Sequence, residues 1–162
     1  MAGYRLQVAG YKLAFGNSVL IIETVYFYVA IPRWDFDAFK ASRAFVREVG
    51  RLVRTPSFAP NRNLVNQMER AAISVLSNFA EGYERDGNAE FIQFVSVSKG
   101  SVGKLRGQLI YSLDIGLIPE SRYEELDTMG ISTARLLGGL NRYLSGPERR
   151  GRKFDRRRKA NL

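Results

Sequence analysis

The chain has 162 residues, enough for one domain with tails, and its 45% apolar content is ordinary for a globular protein. It contains no cysteine and no histidine, which excludes disulfides, thiolate nucleophiles, zinc–thiolate sites, histidine general bases and the commonest transition-metal ligand. The formal charge is +9 and unevenly spread: Glu148 to Lys159 holds eight basic residues against two acidic ones, a net +6, which leaves +3 for residues 1–144.

Residues 1–33 read differently from the rest. Val19 to Ile31 is a run of apolar, β-branched and aromatic residues broken by Glu23 and Thr24. It is too short and too charged to span a bilayer, so no membrane partner is expected. Only Arg5 and Lys12 precede it, and no small-residue cleavage site follows, so it is a poor secretory signal. The reading is an irregular extension outside the folded domain, with a cytoplasmic address as the default.

Pro32 blocks a helix arriving from upstream, and Asp35 is a candidate N-cap for a helix over 35–54. Along it Lys40, Arg43, Arg47, Arg51 and Arg54 follow at steps of three, four, four and three. At about 100° per residue they fall within roughly 80° of one face. Phe39, Ser42, Val46, Val49 and Val53 hold the other face, and Asp37 and Glu48 flank the basic row. A single-sign stripe on a docked helix is a footprint for a polyanion. The plainer alternative is a solvated arginine face.

Thr55, Pro56 and Pro60 mark a loop. A second helix is expected over 61–81, capped by Asn61 or Asn63, with an apolar row at Leu64, Met68, Ala71, Val75 and Phe79. Gly82 follows where a helix end favours a residue tolerant of positive φ. A third helix over 88–115 has its seam at Phe91, Phe94, Val95, Ser98, Val102, Leu105, Leu109 and Leu113. Its back carries Gly100, Gly103 and Gly107 near Ile92, Ser96, Ile110 and Tyr111. Each glycine costs about 0.8–1 kcal/mol relative to alanine inside a helix, roughly 3 kcal/mol for the three. A helix apolar on both sides is usually buried on both, which predicts a homo-oligomer in which this helix meets a neighbour; a kinked or frayed helix is the alternative.

The fourth helix starts at Pro119, with Glu120, Glu124 and Glu125 near its positive end. Its seam is Leu126, Met129, Thr133, Leu136, Leu137, Leu140 and Leu144, and Gly146 and Pro147 stop it. The expected fold is therefore all-α: an antiparallel, up-down-up-down four-helix bundle over 34–145, with the irregular N-terminal extension 1–33 and a basic, disordered C-terminal tail over 146–162. The tail's Arg149, Arg150, Arg152, Lys153, Arg156, Arg157, Arg158 and Lys159 would raise affinity for nucleic acid without sequence choice, or simply keep the chain soluble.

One stretch points to a family. Ser74-Val75-Leu76-Ser77-Asn78-Phe79-Ala80-Glu81-Gly82 is followed by Arg85, by Glu90-Phe91-Ile92-Gln93-Phe94, by Lys99-Gly100-Ser101 and Gln108-Leu109, and by Leu113-Asp114-Ile115-Gly116-Leu117-Ile118. Over roughly 34 to 144 the chain resembles the four-helix bundle family first named for proteins encoded in intervening sequences of bacterial 23S ribosomal RNA genes. That family also holds the accessory variability determinant proteins of diversity-generating retroelements. Two departures stand out. Lys104 occupies a place usually acidic, three positions after the Gly-Ser serine, and Phe79 is a larger filler than the usual aliphatic. The resemblance implies a pentameric assembly and, in the retroelement members, binding to nucleic acid and to a reverse transcriptase.

Partly buried amides need partners, so Asn78, Glu81, Arg85, Ser101 and Gln108 are read as one polar cluster fixing helix register. Gly82, Glu90, Phe91 and Gly100 complete a structural motif. The alternative is a helix cap with solvated polar groups. Glu81, Glu84, Asp86 and Glu90 gather near one turn, but acids around a helix start are usually solvated or capping. No catalytic residue, no metal site and no cofactor is expected. The function expected is a non-enzymatic oligomer that binds RNA or DNA through phosphates, as a nucleoprotein scaffold or reverse-transcriptase accessory. The alternative is a structural or protein-binding oligomer without a nucleic-acid role.

Overall fold

Among the described residues, apolar residues at helical spacing produce four helices: α1 (Asp37–Leu52), α2 (Arg62–Glu84), α3 (Asn88–Asp114) and α4 (Glu120–Leu144). A single 3-10 turn, Pro56–Phe58, lies between α1 and α2. In the computed structural model the described residues are 36–85 and 87–146. The N-terminal extension 1–33, Asp35, Asp86 and the tail from Pro147 onward lie outside them. Among the described residues there is no strand. Each helix packs against its sequence neighbours, and α1 closes the ring against α4.

The contacts set the sense of each neighbouring pair. Phe36 meets Tyr83 while Phe39 meets Phe79. Ser74 bonds Ser101 while Ser98 reaches the Val75 carbonyl. Asn88 donates to the Leu144 carbonyl, Asn141 to Ser96, and Arg106 to Asp127. Arg122 reaches Glu48, and Phe45 lies beside Gly130. In each pair residue numbers rise along one helix as they fall along its partner, so neighbouring helices run antiparallel.

The predicted seams are the core. Phe39, Ser42, Val49 and Val53 of the first stretch are buried, as are Met68, Ala71, Val75 and Phe79 of α2. Val95, Ser98, Val102, Leu105 and Leu109 of α3 and Leu126, Thr133, Leu137, Leu140 and Leu144 of α4 join them. Six members differ: Leu136 is 38% exposed, and Val46, Leu64, Phe94, Leu113 and Met129 are only partly covered. Phe45, fully buried, was outside the expected seam, because the helix face toward the core is wider than one row of residues. At the α2–α3 end, Phe36, Phe39, Phe79, Tyr83 and Phe91 make a ring cluster with centroids 5.1 to 6.3 Å apart, mostly edge-to-face, as ring quadrupoles prefer. Three of the buried hydroxyls are satisfied within their own helix. Ser42, Ser112 and Thr133 each donate to the carbonyl four residues back.

Three helix-end expectations change. The N-cap position of α1 is Phe36, not Asp35, and Asn61 caps α2 by position without a side-chain hydrogen bond. Gly82 is not a terminating glycine: α2 continues through it to Glu84. Its role is steric, because a Cβ there would run into the Cβ of Phe94 on α3. The glycine that does need positive φ is Gly116, at +71°. Its N–H donates to the Leu113 carbonyl and the Leu117 N–H to the Ser112 carbonyl, the pair of bonds that closes a helix through a left-handed residue.

The glycines therefore divide into two kinds with opposite responses to a methyl group. Gly82→Ala should destabilise the bundle by about 1–3 kcal/mol, the cost of overpacking. A Cβ on Gly100 meets nothing within 4 Å, so Gly100→Ala should stabilise the isolated subunit by about 0.5–1 kcal/mol. Urea denaturation of the two variants checks both signs.

Candidate nucleic-acid interface

The stripe on α1 is built by the same periodicity that buries its opposite face. Lys40, Arg43, Arg47, Arg51 and Arg54 are all exposed, the last lying just beyond the helix end, while Ala38, Phe39, Phe45, Val49 and Leu52 are buried. Lys40, Arg43 and Arg47 line a groove between α1 and α2 that also includes Ala44, Val46 and Leu76. The stripe thus lies beside an open channel between two helices rather than on a convex helix alone.

Glu48 does more than flank this row. Arg51 Nη1 donates to its Oε1 at 2.7 Å, and Arg47 Nε lies 3.7 Å from the same oxygen. Arg122 of α4 donates to its other oxygen at 3.3 Å and to Glu125 at 2.6 Å. One carboxylate therefore faces three guanidinium groups and ties α1 to α4. Arg43 and Arg54 make no ion pair with the described residues. The Arg122 hydrogen bond, followed by the charges of Arg51, Arg122 and Arg47, holds the Glu48 carboxyl below its usual 4.5 against the opposing effect of burial. The eight basic residues of the tail lie outside the described residues.

The expected five-residue polar cluster separates into two. Asn78 Nδ2 donates to the Ser74 carbonyl and to Ser74 Oγ, at 2.8 and 2.9 Å, and Ser74 Oγ in turn bonds Ser101 Oγ at 2.9 Å across α2 and α3. Ser98 Oγ donates to the Val75 carbonyl nearby. At the far end of α2, Arg85 bridges Glu81 at 2.7 Å and Glu90 at 3.3 Å, and its guanidinium stands 4.8 Å over the Phe94 ring. Gln108 joins neither group; its Oε1 is buried and finds no partner among the described residues. Two turns separate it from Ser101, about 10 Å along the axis, which side-chain length does not bridge. Phe91 belongs to the aromatic cluster, and Gly100 faces open space. What Ser74, Asn78, Gly82, Ser98 and Ser101 share is small size or a local bond, and together they let α2 and α3 approach closely.

Two features were missed in the sequence. Arg122 enters the site from α4, distant in sequence and without a periodic cue. A second basic cleft lies between α3 and α4, with Lys99, Arg106, Arg135 and Arg142 among its lining. The available signal was the acid-free stretch from Phe91 to Leu113 and from Thr128 to Leu144. Among the described residues, no group of three or more acids could hold a metal, and no helix is long and apolar enough to cross a membrane.

Because the Glu48 carboxyl titrates lower in the fold than in the open chain, it binds fewer protons there, and folding gains from it above its ordinary 4.5. That gain disappears as pH falls through the lowered value. Glu48→Gln should therefore lower Tm at pH 7, by a margin that shrinks as pH falls below 4.5, as checked by calorimetry across that range.

Comparison with known proteins fits this geometry. No curated protein matches the chain. A family described as 23S rRNA-intervening sequence protein matches residues 34–139, from just before α1 to near the end of α4. That span covers α1, α2, α3 and most of α4, with the paired α2–α3 interface and the α1 stripe. The chain belongs to the 23S rRNA-intervening sequence protein family.

Proposed function

We propose that this protein is a non-enzymatic, oligomeric bundle that binds RNA or DNA through phosphate contacts, serving as a nucleoprotein scaffold or as an accessory to a reverse transcriptase. The observation that carries this reading is the row of five exposed cations on α1, alongside a groove. Phosphate contacts position a protein on nucleic acid without reading bases, and the row has the exposure and single sign they require. The basic tail adds to the same field.

Oligomerisation is supported by the outer surface of α3. Val97, Ile110, Tyr111 and Ile115 are each at least 42% exposed, and among the described residues nothing comes within 4 Å of where a Cβ of Gly100, Gly103 or Gly107 would stand. Large apolar groups beside bare helical backbone suit a second copy of the chain. A pentamer, the assembly expected of the family, would repeat the α1 stripe around an axis and multiply a modest field. A cytoplasmic setting fits such a partner.

A second reading, a protein-binding oligomer without nucleic acid, is favoured by Glu48, which draws Arg47 and Arg51 into a structural ion network. Two charge reversals separate the readings. Arg47→Glu with Arg51→Glu should weaken binding of duplex RNA and DNA by about tenfold or more at moderate salt. Arg43→Glu with Arg54→Glu, which breaks no ion pair among the described residues, should do the same. Fluorescence anisotropy measures both. Undiminished binding by both variants would leave the stripe without a role in it.

A further inference from the structure

The cleft between α3 and α4 lies away from the α1 stripe and uses different residues. It is about 300 Å³ in volume, and its lining includes Lys99 and Arg106 from α3 and Ala134, Arg135, Gly138 and Arg142 from α4. Contacts along the ring run α1–α2, α2–α3, α3–α4 and α4–α1, so this cleft and the α1–α2 groove open on opposite sides of the bundle.

Small residues shape it. Lys99 Nζ lies 3.4 Å from where a Cβ of Gly138 would stand, an ordinary contact distance that sets the ammonium against α4 at that point. Arg106 is anchored instead, donating to both oxygens of Asp127 at 2.6 and 3.2 Å, with its aliphatic stem over Gly130. Lys99 stands beside Gly138 and Arg106 beside Gly130, so the cations follow down the cleft as Arg106, Arg135, Lys99 and Arg142, drawn from both helices.

Charge is one-sided there. Neither α3 between Glu90 and Asp114 nor α4 beyond Asp127 carries an acid. Asp127 offsets Arg106, whereas Lys99, Arg135 and Arg142 make no ion pair with the described residues. Lys99 and Arg106, like Arg135 and Arg142, are seven residues apart, about 10 Å along a helix. Cations extended along an open cleft match a chain of phosphates better than one compact ion.

We infer that the α3–α4 cleft is a second phosphodiester-binding surface, so that one bundle holds two separate segments of nucleic acid on opposite sides. This rests on the nucleic-acid reading above but on none of the stripe's residues. Its consequence is a stoichiometry, read as the change each variant makes relative to wild type.

The test is isothermal titration of the full chain at low salt with a DNA duplex of about one helical turn, too short to reach around the bundle. Lys99→Glu with Arg135→Glu should remove one bound duplex per chain and leave the remainder. Arg47→Glu with Arg51→Glu should remove a different one. Gly138→Glu, which removes no existing side chain and places a carboxylate within reach of Lys99, should reproduce the cleft effect in a protein with unchanged helical circular dichroism. Wild-type stoichiometry in both cleft variants would overturn the second surface while leaving the stripe's role intact. Loss with the cleft variants but not with the stripe variant would support the cleft and overturn the stripe. No binding by wild type would overturn both.

Discussion

The close approach of α2 and α3 is the constraint on which the rest of the bundle depends. Gly82 gives way to Phe94, Ser98 bonds directly to the Val75 carbonyl, and Ser74 and Ser101 share a hydrogen bond between the two helices. Each feature fails if the helices move apart, and a larger residue at Gly82 forces them apart. The same contact places Phe79 and Phe91 edge to face at 5.5 Å. Phe36 and Phe39 of the first segment then pack on these rings. The rotational setting of α1 follows from that docking, and with it the direction in which its cations point. A packing detail inside the bundle thus decides what the surface offers to a partner.

Electrostatics adds a second layer. Glu48 is shared by Arg51 of α1 and Arg122 of α4, so one carboxylate both ties two helices and reduces the charge of the row beside it. Arg106 and Asp127 make the corresponding tie between α3 and α4. Both ties are partly buried, and they join helices that are already docked through their apolar seams. The ion pairs instead decide which cations are engaged within the protein and which make no pair among the described residues.

The four helices of the described residues and most of their core seams were legible in the sequence because each seam repeats within its own helix. Phe45 escaped because a core-facing arc is wider than a single row, and Gly82 was misread because a glycine near a helix end has two explanations that look alike in sequence. Its true reason is Phe94, on another helix. The polar string was seen, yet its grouping was not: Asn78 bonds back to Ser74, Arg85 turns toward Glu81 and Glu90, and Gln108 lies too far along α3 to join. The α1 stripe was visible because all its residues share one helix. The α3–α4 cleft was not, because its cations alternate between two helices and have no common period.

The central claim is that outward-facing guanidinium and ammonium groups meet phosphate. Salt dependence tests it most directly, since each phosphate neutralised contributes about −0.9 to the slope of log affinity against log salt on a duplex. The account predicts a linear dependence with a slope of about −3 or steeper for the full chain. Tight binding whose affinity does not change with salt would contradict it.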